Sequence, residues 1–241
     1  MKVNPLHLIK SLLVEFNTDK TGSLAIYDSQ FIKKFVDDPN FPFLVSFPRT
    51  GSHWLRMVME LYFEKPSLVR VFYYKDCQDY LTLHTHDMNL DIYRKNVIYL
   101  YREPAPTVYS QMMYEKEDTR DLERVKYWST LYGKHLAKWL IEETETEKKT
   151  IMRYENLLKD MATEFSKVTE HFEMQIDADK LQRATEKVSK EEVKKKTAHD
   201  PQVINRSGFY EISRKEFLQN NSELIGDLVL EQNCQLQQYF I

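Results

Sequence analysis

Three short apolar runs, Phe43–Phe47, Val97–Tyr101 and Thr150–Arg153, each lead into a stretch with helical apolar spacing. Runs of this kind suit strands buried on both faces. Alternated with helices, they predict a parallel sheet covered on each side. The expected helices are Ser29–Val36, Ser52–Phe63, Pro104–Tyr114, Leu122–Glu143, Asp160–Phe172, Ala178–Val188 and Ser222–Tyr239, with weaker strand candidates at Leu68–Tyr73 and Tyr80–Leu83. No repeat and no Pro/Ser-rich linker divides the 241 residues, so residues 1–241 read as one α/β domain with a central parallel sheet. Ligands of such sheets bind beyond the carboxyl ends of the strands, and the search for chemistry starts there.

The formal net charge is −3 and the pI about 6.2, which provides no global basic field to hold a nucleic acid. Any anion needs a local site. Cys77 and Cys234 lack metal or redox spacing, and such low usage fits a reducing compartment. Met1–Phe16 has helical spacing, but His7 and Lys10 make it too polar for a signal-peptide core, and no run of 18 apolar residues occurs. The expectation is a soluble, cytoplasmic protein with no membrane or nucleic-acid partner. Glu186–Lys196, rich in Lys and Glu, reads as a solvated helix face or mobile loop. Only five glycines occur, at 22, 51, 133, 208 and 226, and each marks a backbone position to test.

After the first run comes Pro48-Arg49-Thr50-Gly51-Ser52-His53-Trp54, then a helix. Strand, short loop and helix point backbone N–H groups at an anion. Gly51 permits close approach, Thr50 and Ser52 add hydroxyls, and Arg49 adds a permanent planar charge. The plain alternative is a strand-to-helix turn capped by Ser52. A nucleotide-triphosphatase loop is disfavoured, because G-x-x-x-x-G-K-[ST] is absent.

The loop resembles the 5′-phosphosulfate loop of the cytosolic-type sulfotransferases, usually Pro-Lys-Ser-Gly-Thr-Thr-Trp. Those enzymes use 3′-phosphoadenosine 5′-phosphosulfate (PAPS). Pro48, Gly51 and Trp54 match, Thr50 and Ser52 exchange one hydroxyl for another, Arg49 replaces the catalytic Lys, and His53 replaces a Thr. The resemblance implies that Trp54 stacks on adenine; otherwise it is a core aromatic. Arg102, followed by Pro104 and, eight residues after the Arg, Ser110, resembles the 3′-phosphate motif. An arginine at a strand end and a hydroxyl two helical turns on can converge on one phosphate. His84-Thr85-His86 lies where the family has Lys-Thr-His and its base. His86 is thus a candidate general base. A structural histidine pair, or a metal shared by His84 and His86 at i, i+2, are the alternatives. Tyr127-Trp128 to Gly133-Lys134-His135 and Trp139 resembles the long helix before the next strand, and Tyr154-Glu155-Asn156-Leu157 resembles Tyr-Glu-Asp-Leu, whose Tyr contacts adenine. Arg206-Ser207-Gly208 resembles the Arg-Lys-Gly segment that closes on the 3′-phosphate, and Lys190 follows Ser189 where the family often has Phe on adenine.

The resemblance spans about Phe43 to Gly208 and implies the sulfotransferase fold, with a P-loop-like phosphosulfate loop in a three-layer domain. It also implies PAPS as donor, no metal, a small-molecule acceptor, and in-line sulfuryl transfer to a hydroxyl or amine. Arg49 would stabilise the charge that develops there, and His86 would take the acceptor's proton. The chain departs from the pattern in a short stretch between Phe63 and His84, in Phe209-Tyr210 where a Trp usually follows, and in having no clear copy of the C-terminal dimer motif. No oligomeric state is assigned. Phe72, Tyr73, Tyr74 and Tyr80 are read either as an aromatic acceptor pocket or as core, and Asp87 as a candidate attractor of a cationic acceptor. The rival readings are a P-loop-like small-molecule kinase, which needs a loop Lys and Mg²⁺, and a nucleotide-binding module without catalysis.

Overall fold

The computed structural model describes residues 29–74, 79–197 and 208–240. The helical spacing read at Met1–Phe16, together with Gly22, Cys77, Arg206 and Ser207, lies outside these residues. Four strands form one parallel sheet: β1 (Phe43–Ser46), β2 (Leu83–Thr85), β3 (Asn96–Tyr101) and β4 (Lys148–Arg153). Their order is β2-β1-β3-β4, with Val45 opposite both Thr85 and Tyr99, and Tyr99 opposite Ile151. The chain therefore steps from β1 to one side and then crosses to the other. That reversal opens a crevice between the carboxyl ends of β1 and β3, the usual ligand position in such sheets.

Alternation along the strands splits the core into two layers. Phe43, Val45, Val97 and Tyr99 face a cluster with α1 (Ser29–Asp37), α3 (Pro104–Glu115), α4 (Leu122–Leu136) and α9 (Gly208–Gln232). Leu44, Ile98, Leu100 and Met152 face the other cluster, with α2 (Ser52–Phe63), α5 (Tyr154–Lys159), α6 (Met161–His171) and α7 (Ala178–Lys187). Burial on both faces explains why these strands read as continuous apolar runs. A short helix α8 (Lys190–Thr197), capped by Ser189 Oγ accepting from Glu192 N at 3.1 Å, occupies most of the Lys/Glu-rich stretch.

Three expectations need correction. Leu68–Tyr73 forms no strand; it holds isolated bridge positions at Leu68, paired with Leu83, and at Arg70, and Val69 at φ 80° breaks the extended backbone between them. The strand expected at Tyr80–Leu83 lies instead at Leu83–Thr85. The final helix begins at Gly208 rather than Ser222 and is followed by a 3₁₀ turn, Cys234–Tyr239. Its buried stripe runs through Tyr210, Phe217, Asn221, Ile225 and Val229. The polar Asn221 hides the period in the sequence, since its amide is satisfied within the helix by donating to Phe217 O at 3.0 Å.

Gly133 accounts for the contact between α4 and α9. A Cβ there would stand 3.0 Å from Val229 Cα, so only a hydrogen lets the helices approach this closely. The expected helix Leu122–Glu143 also changes character: α4 ends at Leu136 and continues as a π-helical turn, Ala137–Glu142.

Candidate active site

The loop after β1 is shaped by two residues with positive φ. Arg49 has φ 71° and Gly51 φ 96°, on either side of Thr50, whose hydroxyl donates to Phe47 O at 2.8 Å. A non-glycine residue in this region is uncommon and strained, and such strain gathers at functional sites. Alternating backbone of this kind, at a helix N-terminus, turns successive N–H groups toward one concavity. Gly51, not Ser52, is the N-cap of α2. Because Thr50 commits its O–H to Phe47, its own donor toward an anion is the backbone N–H.

On the β3 side of the crevice the loop meets Arg102. Its Nη1 donates to Arg49 O at 3.1 Å, and its guanidinium lies 4.7 Å from the Tyr154 ring centroid. Tyr132 on α4 clamps the Arg102 backbone, accepting from its N–H at 3.0 Å and donating to its C=O at 2.7 Å. Arg102 Nε is buried with no hydrogen-bond partner, its nearest carboxylate being Glu155 at 3.8 Å. A buried cationic donor that makes no hydrogen bond is costly, and a closer anion would satisfy it. Tyr154, at the start of α5, covers Gly51: a Cβ on Gly51 would lie 2.6 Å from its ring carbons. Trp54 meets the same ring edge-on at 6.2 Å. Arg49 extends over Tyr114 of α3, 5.6 Å from its centroid. Arg49, Gly51, Trp54, Arg102 and Tyr154 are thus one group.

Ser110 stands apart. It is buried on α3 with its hydroxyl 3.1 Å from that of Tyr210, and no hydrogen bond joins it to Arg102. Tyr210 is two residues past Gly208, the first residue of α9, while Arg206 and Ser207 lie outside the described residues. Lys190 opens α8, and its side chain is outside the described residues.

On the β2 side lies a group of histidines and arginines. His86 Nδ1–H donates to Ser46 O at 2.8 Å. A carbonyl only accepts, so the neutral ring keeps its proton on Nδ1 and its lone pair on Nε2. His84 Nε2 lies 3.0 Å from Ser46 Oγ, and its ring meets that of His86 at 4.6 Å and 89°. His53 Nε2 accepts from Arg70 Nη1 at 2.9 Å. Arg56 is buried and donates to Arg70 O at 2.9 Å, and both guanidinia lie over Phe72. Burial, with the field of Arg70, Arg56 and Arg49, holds His53 well below the ordinary imidazole range. Burial, then His86 and Arg56, does the same for His84. Burial and these neighbours thus disfavour a charge on His84, where the resemblance has a lysine.

Sequence reading missed Arg56 and Arg70. Arg56 lies on the buried face of α2, and Arg70 in the segment read as a strand. The carboxylate of Glu60 pins that segment by accepting from the backbone N–H of Ser67, Phe72 and Tyr73 at 3.2, 2.9 and 3.0 Å. A Glu on the apolar face of an expected helix was the available signal.

One acceptor-side expectation is corrected, and one left open between pocket and core is decided for two of its residues. Asp87 is 4% exposed and engaged by Lys138, Trp139 and the N–H of Ile92, so it offers no face to a cationic acceptor. Phe72 and Tyr80 belong to the core, with Tyr80 packed on Phe31 and Phe35, while Tyr73 lies under Lys196 at 4.5 Å. Among the described residues no group of three or more His, Cys, Asp or Glu is arranged to hold a metal, and no helix is long and apolar enough to cross a membrane.

A family model described as a sulfotransferase domain matches residues 40–223. No curated protein sequence matches the chain significantly. Among solved structures it is similar to retinol dehydratase in complex with androsterone and inactive cofactor PAP. That match has a TM-score of 0.55 and 14% identity, over 95% of this chain and 94% of that one. It is also similar to mouse sulfotransferase SULT7A1 complexed with PAP, at a TM-score of 0.49 and 16% identity, over 83% and 92% of the two chains.

Proposed function

The chain belongs to the sulfotransferase domain family, and from that premise we propose that it moves a sulfuryl group from PAPS to a hydroxyl or amine of a small-molecule acceptor, with His86 as general base. The observation that carries the reading is the His86 hydrogen bond to Ser46 O, which leaves the basic nitrogen at Nε2 while the phosphate-type loop begins two residues beyond Ser46. PAPS, when bound, supplies the activated sulfuryl group.

The residues present suit that donor. Gly51 lets the loop backbone pass directly under the Tyr154 ring, where a Cβ would stand 2.6 Å from its carbons, and Arg102 holds a buried donor without a hydrogen-bond partner. Arg49 and the N–H groups of Thr50, Gly51, Ser52 and His53 would hold the 5′ end. Trp54 and Tyr154 would take the adenine, and Arg102, Ser110, Arg206, Ser207 and Gly208 the 3′-phosphate. Arg49 stays protonated, so it stabilises developing negative charge and does not donate a proton. His86 Nε2 takes the acceptor's proton, a contribution typically worth ~10²–10⁴-fold. Cytoplasmic placement rests on the low cysteine usage, with Cys234 a free, exposed thiol.

Thermal unfolding with 3′-phosphoadenosine 5′-phosphate (PAP) in EDTA tests the nucleotide reading. At 100 times Kd a ligand adds about 2.7 kcal/mol, which for a chain of this size is a rise of roughly 5–10 °C. No shift with PAP, together with a shift by Mg-ATP, overturns the reading in favour of a kinase.

A further inference from the structure

Nothing in the proposed reaction uses the best-buried ion pair beside the site. Asp87, the residue after His86, has φ 45° and a side chain with no exposure. Its Oδ2 accepts from Lys138 Nζ at 2.7 Å and from Trp139 Nε1 at 2.9 Å, and its Oδ1 from Ile92 N at 3.0 Å. Lys138 also donates to Ile92 O at 2.7 Å and is 8% exposed. The two donors are consecutive residues on one helix, and consecutive α-helical residues do not face one way. Here they belong to the π-helical turn Ala137–Glu142, closed by Glu143 N donating to Lys138 O, five residues back, at 2.8 Å. The extra residue in that turn brings neighbouring side chains closer in direction, and such turns are frequent at functional sites.

The same helix holds His86 from a second side. His135 Nε2–H donates to His86 O at 2.9 Å, and its Nδ1 lies 2.9 Å from Tyr99 Oη on β3. The His86 backbone is therefore fixed at its carbonyl by α4 and at the next residue by the π turn, while its ring is fixed by β1. We propose that Lys138, acting through Asp87, is a positioning residue for the base carried by His86, and that the π turn brings Lys138 and Trp139 onto one carboxylate for that purpose. The proposal rests on the base role assigned to His86.

A small displacement of a reacting group costs up to about 10²-fold in rate. The test is steady-state PAPS turnover by the full chain. Lys138→Met is expected to lower kcat about 10–100-fold while leaving KM for PAPS and the Kd for PAP within about threefold, and Lys138→Arg to recover part of the loss. The single variant strands a buried carboxylate, so Asp87→Asn/Lys138→Met is made alongside it. The double variant removes both charges, keeps one amide oxygen to accept from either Ile92 N or Trp139 Nε1, and is expected to lose kcat about as far as the single variant, because the pair acts as a unit. NMR of the His86 imidazole nitrogens reads the same effect, with the Nδ1–H signal of the wild type weakened or shifted in the variants. Wild-type kcat and an unmoved His86 signal in folded variants make the pair merely structural and overturn the proposal. His86→Ala at wild-type turnover removes the base reading itself, whatever Lys138 does.

Discussion

Gly51→Ala puts the loop geometry to a quantitative test. At φ 96° an L-residue is strained by an amount of order 1–3 kcal/mol. The added Cβ would also stand 2.6 Å from Cδ2 and Cε2 of Tyr154, far inside contact distance. That ring cannot swing away cheaply, since Arg102 lies 4.7 Å over it and Trp54 meets its edge. Adding about 1–2 kcal/mol for overpacking gives a loss of about 2–5 kcal/mol, or roughly 4–20 °C at ~2–4 °C per kcal/mol for a chain of this length. Any shift of Tyr154 also moves a residue assigned to the adenine, so PAP affinity falls with stability. Gly226→Ala is the internal control. Its Cβ meets nothing within 4 Å in α9, and it gains up to about 1 kcal/mol of helix propensity. Calorimetry and PAP titration on both variants decide the matter. A Gly51→Ala protein melting within 2 °C of the wild type, with unchanged PAP affinity, refutes the reasoning.

Two further outcomes follow from the site and the core. Arg49→Ala is expected to lower turnover at saturating PAPS by about 10²–10³-fold, the usual cost of losing a preorganised charge-stabilising donor; near-normal turnover would remove Arg49 from the chemistry. His171, buried beside Thr150 at 2.8 Å, is held by desolvation at about 4 instead of 6.5. Its depressed value means that the unfolded chain takes up a proton first as pH falls. The stability it contributes is thus complete above about 6.5 and is lost as pH drops toward 4, by about 1.5 kcal/mol between pH 6.5 and 5. Urea unfolding of His171→Gln should show an acid slope shallower by about 1 kcal/mol per pH unit, and an identical slope would count against the assignment.

The strands and the loop were legible because burial on both faces leaves an unbroken apolar run, and because a glycine with flanking hydroxyls follows one such run. Arg102 was legible for the same reason, as a charge ending β3. What the sequence concealed depends on distance along the chain. Arg70 meets His53 across 17 residues, and Lys138 meets Asp87 across 51. No local period encodes either pair. The π turn was invisible because it keeps the apolar spacing of the helix it extends. Asp87 misled for a physical reason: a carboxylate beside a candidate base looks available until the fold supplies a buried ammonium to satisfy it.

Sulfuryl transfer with His86 as base is decided by PAP release from PAPS over a panel of hydroxyl and amine acceptors, comparing wild type with His86→Ala. The wild type is expected to form PAP and sulfated product in equal amounts. His86→Ala is expected to lose about 10²–10⁴-fold in turnover, with PAP affinity retained. Wild-type turnover in the variant, or nucleotide binding by the wild type with no product on any acceptor, would contradict that reading.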